Sequence, residues 1–154
     1  MNIQDKNKTA FSSLEIIITI SIIAVAFTFS MLFYQTSQLR ADLNTQTALI
    51  ISHVRLAQSN AASGATDQPM GIHFAADSFT TYIGPVYDPN SASNVVVTLP
   101  STLTITAITL AGGGSNILFT SPQGQTVNSG SFTLYSSSLD TSNIITITSL
   151  GTIN

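Results

Sequence analysis

The sequence predicts an α+β protein: one long N-terminal transmembrane and amphipathic α-helix packed on a small antiparallel β-sheet or sandwich domain. Three observations carry that expectation. Residues 16–34 (IIITISIIAVAFTFSMLFY) form an apolar run broken only by Ser and Thr. Apolar residues then recur at Leu39, Leu43, Ile50, Val54, Ala57 and Ala61, in steps of three, four or seven that lie on one helical stripe. Beyond Gly64 the period changes to short alternating runs rich in β-branched residues, separated by Gly, Pro, Asn and Asp.

Residues 1–10 (MNIQDKNKTA) are polar and slightly basic and read as a leader. The apolar run that follows would span about 28 Å as a helix, close to the hydrocarbon thickness of a bilayer. Lys6 and Lys8 precede it, so the positive-inside rule keeps the N-terminus cytoplasmic and sends everything after Tyr34 outward. No Pro or Gly interrupts the helical register until Gly64, which predicts one helix over Ser12–Ala62 with a glycine stop. Expected strands are Met70–Ala75, Phe79–Ile83, Asn94–Leu99, Leu103–Leu110, Asn116–Thr120, Ser131–Tyr135 and Ile144–Ser149. Gaps too short for crossover helices imply antiparallel pairing. The expected organisation is therefore a leader over 1–10, a helix over 11–62 and an extracytoplasmic β domain over 63–154. Residues 11–38 of the helix are its membrane part and 39–62 its amphipathic part.

Charge narrows the function further. Only 7% of the 154 residues are charged, and all four cations, Lys6, Lys8, Arg40 and Arg55, lie in the first 55 positions. From Leu56 onward the formal charges are Asp67, Asp77, Asp88 and Asp140. That part has nothing with which to neutralise phosphates, so nucleic-acid binding by it is disfavoured. The polar surface rests instead on 21 Ser and 21 Thr with Asn and Gln, which points to an exported protein whose flanks are covered by neighbours in an assembly. The absence of Cys excludes disulfides, thiolate metal sites and cysteine nucleophiles.

One residue does not fit a plain membrane anchor. Glu15 stands on the threshold of the apolar run, where a carboxylate is costly unless something compensates it. Together with its surroundings, Ala10-Phe11-Ser12-Ser13-Leu14-Glu15, it resembles the cleavage and methylation motif of type IV pilins and pseudopilins: a small residue, Phe, three residues and Glu before a long apolar helix. The resemblance implies that a prepilin peptidase cuts between Ala10 and Phe11 and methylates the new amino group of Phe11. It also implies that Glu15 compensates the Phe11 ammonium, in its own chain or in the adjacent subunit of a filament. The chain departs from the family pattern at Ala10, where Gly is usual, at the polar Ser13, and at Leu32, where many pilins carry a helix-bending Pro. A second, weaker resemblance is to the GspH/FimT-like minor pseudopilins. It rests on the turn Ile117-Leu118-Phe119-Thr120-Ser121-Pro122-Gln123-Gly124 and the ending Ile144–Ile153.

Other chemistry finds little support in the residues. No G-x-S-x-G elbow is present, His53 falls in the helical segment and His73 in an expected strand, so a Ser-His-Asp hydrolase is disfavoured and no catalytic residue is assigned. Gly112-Gly113-Gly114 lacks the Lys of a phosphate-cradling loop and reads as a turn. Asp88, Asn90 and Asn94 offer one carboxylate and two amides, too few for a calcium loop, and read as an Asx-turn. No metal or cofactor is expected. The resemblance implies a structural subunit, not an enzyme, of a type IV pilus, type II secretion or competence pseudopilus. It would be stored in the cytoplasmic membrane as a single-pass protein, with the prepilin peptidase and other pilin or pseudopilin subunits as partners. The alternatives are a DNA-binding minor pilin for natural transformation, which would want basic residues that the β domain lacks, and a signal-anchored extracytoplasmic enzyme.

Overall fold

The computed structural model describes residues 12–154, apart from the side chains of residues 31–33. The expected leader over 1–10 and the pair Ala10 and Phe11 lie outside the described residues, as does the Leu32 side chain. The first element, α1, is the α-helix Ser13–Ser63. Ser12 starts it: its carbonyl accepts the N–H groups of Glu15 and Ile16 at 3.0 and 3.2 Å, and its Oγ accepts the Leu14 N–H at 3.4 Å. Gly64 ends it in the left-handed conformation, φ +67°. There the Gly64 N–H bonds to Ala61 O and the Ala65 N–H to Asn60 O, the paired bonds of a Schellman stop.

The chain divides into two units between Gln38 and Leu39. In the first, α1 is apolar and long enough to cross a membrane, and none of its apolar window is buried. Its hydroxyls are turned back onto the helix. Thr19 donates to Glu15 O at 2.6 Å, Ser21 to Ile17 O at 2.8 Å and Thr28 to Ala24 O at 2.9 Å, so these side chains present methyl and methylene surface with their polar atoms already satisfied.

In the second unit, Leu43, Ile50, Val54, Ala57 and Ala61 of α1 are buried, and Leu39 at the head of the expected stripe is half-buried. They join one hydrophobic cluster with two antiparallel sheets. The strands are β1 Met70–Phe74, β2 Ser78–Ile83, β3 Val95–Thr98, β4 Leu103–Leu110, β5 Asn116–Thr120, β6 Gln125–Thr126, β7 Gly130–Ser136 and β8 Thr141–Ile147. They form a five-stranded sheet in the order β3-β2-β1-β5-β6 and a three-stranded sheet in the order β4-β7-β8. Alternation decides which face is buried. Met70, Ile72 and Phe74 of β1 share a face with their partners Phe119, Ile117 and Phe79. On the second sheet Ile105, Leu134, Phe132 and Ile145 do the same. The two inner faces meet where the rings of Phe74 and Phe132 lie 4.3 Å apart.

Several strand boundaries differ from the expected ones. The last strand begins three residues earlier and ends two residues earlier than expected, at Thr141 and Ile147. The reason is that β7 and β8 pair in continuous register from Gly130↔Ile147 to Ser136↔Thr141, drawing the polar Thr141, Ser142 and Asn143 into the ladder. β6 is an additional short strand that pairs back on β5 after the Pro122–Gly124 turn. β3 is shorter at both ends, and the Leu99 N–H bonds instead to Asp77 O at 2.8 Å. In β4 the pairing slips between Thr106 and Thr109, where Ala107 takes φ +47° and bulges the strand.

Because the buried stripe begins after Gln38, a chain shortened to residues 39–154 is expected to be a folded, monomeric, mostly β protein. A chain shortened to residues 65–154 is expected to expose the inner faces of both sheets and aggregate. Size-exclusion chromatography and far-UV circular dichroism of the two fragments check this. Equal solubility and equal thermal stability would show that the stripe is not part of the core.

Candidate functional site

The sequence points to the start of α1, and the structure describes that site from Ser12 onward. Glu15 lies in the first helical turn and is exposed. With Ser12 as the residue before the helix, Glu15 takes the third helical position, so the pair has the spacing of a capping box. The positive end of the helix dipole makes the first turn a favourable place for an acidic residue. Among the described residues the Glu15 carboxylate makes no ion pair, and Phe11, to which the resemblance pairs it, lies outside them. The arrangement is an exposed carboxyl side chain in the first turn of an apolar helix.

At the other end of α1 a second set of contacts joins the helix to the sheets. Gln58 Nε2 donates to Gly124 O and to Leu150 O, each at 3.1 Å. Gly124 (φ +61°) and Gly151 (φ +81°) make this approach possible. A Cβ on Gly151 would lie 2.1 Å from Gln58 Nε2, and one on Gly124 would lie 3.1 Å from the Ala62 Cβ. The turn over Pro122–Gly124 and the C-terminal segment are thus both fastened to one helical side chain. Nearer the start of the unit, Asn143 Nδ2 of β8 donates to Thr47 Oγ1 at 3.0 Å and to Asn44 Oδ1 at 3.4 Å.

The two histidines are separated. His53 on α1 packs its ring edge against Phe79 at 5.2 Å, with Thr81 Oγ1 3.5 Å from its Nδ1. His73, on the opposite face of β1 from Ile72 and Phe74, stacks on Tyr87 at 4.1 Å, and its Nδ1 lies 2.6 Å from the Asn116 Oδ1 acceptor. The loop Tyr87–Asn94 is closed on itself. Asp88 Oδ1 accepts the Asn90 N–H at 2.9 Å, and Asn94 Nδ2 donates to Asp88 O at 2.7 Å, an Asx-turn. Among the described residues no three His, Asp or Glu side chains come together as a metal site would require.

Two tyrosines have raised pKa values. Burial pushes the Tyr82 phenol up. The Tyr135 phenol is raised by its hydrogen bond to Asp140, by the charge of that carboxylate and by desolvation. Both bind their proton more tightly folded than unfolded. Their contribution to stability is therefore full below the ordinary tyrosine range and is lost as pH rises through the folded values above it.

Gln58, Asn143 and the Ser12 cap were not singled out by the sequence pattern. Ser12 carried a signal in its spacing to Glu15, whereas Gln58 and Asn143 look like any other surface amide until the turns they bind are in place. Set against models of protein families, characterised proteins and solved structures, the chain matches none of them.

The Gln58 contacts generate a direct test. Gly151→Ala forces a side chain into a left-handed position against Gln58 and is expected to cost about 1–3 kcal/mol in urea denaturation of the 39–154 fragment. Gln58→Ala is expected to cost about 1–2 kcal/mol through two lost hydrogen bonds. The double substitution should cost less than the sum, because removing Gln58 vacates the space that the new Cβ needs.

Proposed function

We propose that the chain is a minor pilin or pseudopilin, a structural subunit of a type IV pilus, type II secretion or competence pseudopilus. In this reading it is cut between Ala10 and Phe11 and methylated at Phe11 by a prepilin peptidase. The observation that carries the reading is the position of Glu15, an anion in the first turn of an apolar helix, four residues after Phe11 and directly ahead of Ile16. A membrane anchor alone has no use for that charge. A helix that must exchange lipid for the helices of neighbouring subunits does, because an ammonium–carboxylate pair is attractive in a low-dielectric surround and fixes the register between helices.

The rest of the molecule is consistent with such a role. Leu14, Ile17, Ile20, Ile22, Phe27 and Phe29 are each at least 60% exposed, a surface that lipid covers before assembly and neighbouring helices cover afterwards. Within residues 39–154 the amphipathic part of α1 is buried against the sheets, as a pilin-like β domain would require. Before assembly the protein would lie in the cytoplasmic membrane with its N-terminus cytoplasmic and its β domain outside. The β domain has no cation beyond Arg55, which leaves a DNA-receptor role without its main attractive force.

Two outcomes follow from the motif. The chain recovered from cells that contain an active prepilin peptidase should begin with N-methylated Phe11, which N-terminal peptide mass spectrometry reads. Recovery of a chain starting at Met1 would overturn the reading. Glu15→Leu should leave membrane insertion and cleavage intact while removing the protein from the sheared-filament fraction. Normal amounts of the variant in filaments would show that Glu15 has no pairing role.

A further inference from the structure

No charged residue lies between Glu15 and Arg40, so Arg40 is the first charge after the apolar run. It opens onto a groove of about 260 Å³, lined also by Leu43 and Asn44 of α1 and by Leu139, Thr141 and Asn143 of the β7–β8 hairpin. Leu43 is buried and Leu139 half-buried, which gives the groove an apolar wall. The Asn44 side-chain oxygen accepts from Asn143, which leaves the Asn44 amide N–H groups as its donor end. Ser136, register partner of Thr141 on the same face, is 1% exposed, and its Oγ has no hydrogen-bond partner among the described residues.

The carboxylates nearby are directed elsewhere. Asp140 follows Leu139, but its Oδ1 accepts the Tyr135 hydroxyl at 3.0 Å. Tyr135 is the register partner of Ser142, on the face of the sheet opposite Thr141 and Asn143. Asp42 is two residues from Arg40, which on a helix is a turn of about 200°. The Thr141 hydroxyl donates its proton to Leu139 O at 3.1 Å, so the groove combines one guanidinium, an amide donor and an apolar wall, with Arg40 as its one charged lining residue.

We propose that this groove receives the phosphate diester of a membrane phospholipid. Arg40 would hold the phosphate oxygens in a bidentate fork, Asn44 would add its amide donors, and the glycerol and first methylenes of an acyl chain would lie along Leu43 and Leu139. Lipid is the occupant because of where Arg40 falls in the chain. Six helical residues after Tyr34 cover about 9 Å, enough to pass from the edge of the hydrocarbon into the headgroup layer, and an arginine side chain reaches to phosphate readily from there. The inference rests on insertion of residues 16–34 in a membrane and does not depend on processing at Phe11.

The test uses the full chain in nanodiscs of phosphatidylcholine containing phosphatidylglycerol. Native mass spectrometry would read the lipid retained by the wild type, Arg40→Gln, Arg40→Lys and Arg55→Gln, each checked for folding by circular dichroism. Retention of phosphatidylglycerol should fall about fivefold in Arg40→Gln, the size of one basic residue's attraction to an anionic surface. It should fall by less in Arg40→Lys, which keeps the charge and loses the fork, and stay at the wild-type level in Arg55→Gln. Equal retention by wild type and Arg40→Gln, or equal loss in Arg40→Gln and Arg55→Gln, would overturn the site. In detergent micelles, inorganic phosphate that shifted the Asn44 and Asn143 amide resonances as strongly as phosphatidylglycerol does would assign the groove to free phosphate and overturn the lipid source. A wild-type chain that fails to float with vesicles would overturn membrane insertion, and the lipid site with it, whereas an unmodified N-terminus would leave the site standing.

Discussion

The unit formed by residues 39–154 depends on a helical stripe that closes its hydrophobic core. Leu43, Ile50 and Val54, continued by Ala57 and Ala61, are buried in the same cluster as Phe74, Phe79, Phe119 and Phe132 from the two sheets. Burying a Leu, Ile or Val side chain is worth about 1.5–3 kcal/mol, so three of them together rival the whole net stability of a small domain, about 5–15 kcal/mol. A three-stranded and a short five-stranded sheet would leave much of that surface open to water without the helix. Separating the helix from the sheets therefore means unfolding the unit.

The polar contacts then fix where the helix sits. Gln58 holds the Pro122–Gly124 turn and the C-terminal segment through backbone carbonyls, and Asn143 ties β8 to Asn44 and Thr47. These are amide and hydroxyl interactions, matching a unit whose surface is built from Ser, Thr, Asn and Gln. Such contacts are nearly indifferent to pH and salt below the tyrosine range. The scarcity of charge also makes the few charged groups informative, Glu15 at the head of the apolar helix and Arg40 at its end.

Periodicity made the helix legible because no Pro or Gly interrupts residues 12–63 and because Gly64 supplies a left-handed stop. The central strands Leu103–Leu110 and Asn116–Thr120 were legible because they are short runs rich in apolar and β-branched residues bounded by turn residues, whereas the bulge at Ala107 was not. What the sequence pattern missed were features decided by partners. Thr141, Ser142 and Asn143 lack the apolar alternation of a strand and join the ladder because β7 offers them backbone partners. Gln125 and Thr126 form β6 because a tight turn returns them to β5. At the candidate site, Glu15 stood out in the sequence because a carboxylate at that place is costly. The Arg40 groove did not stand out, because its walls come from residues about 100 positions apart.

Native-state hydrogen exchange on the full chain in a membrane mimetic tests most directly whether the helical stripe is part of the core. The amides of Ile50, Val54 and Ala57 are predicted to exchange only through the same global opening as those of Ile72 and Leu134, with one shared free energy and one shared dependence on denaturant. If the helical amides instead exchanged through a separate opening of lower free energy while the strands stayed protected, the helix would be an appendage of an independently stable β domain, and the dependence of the core on the stripe would be contradicted.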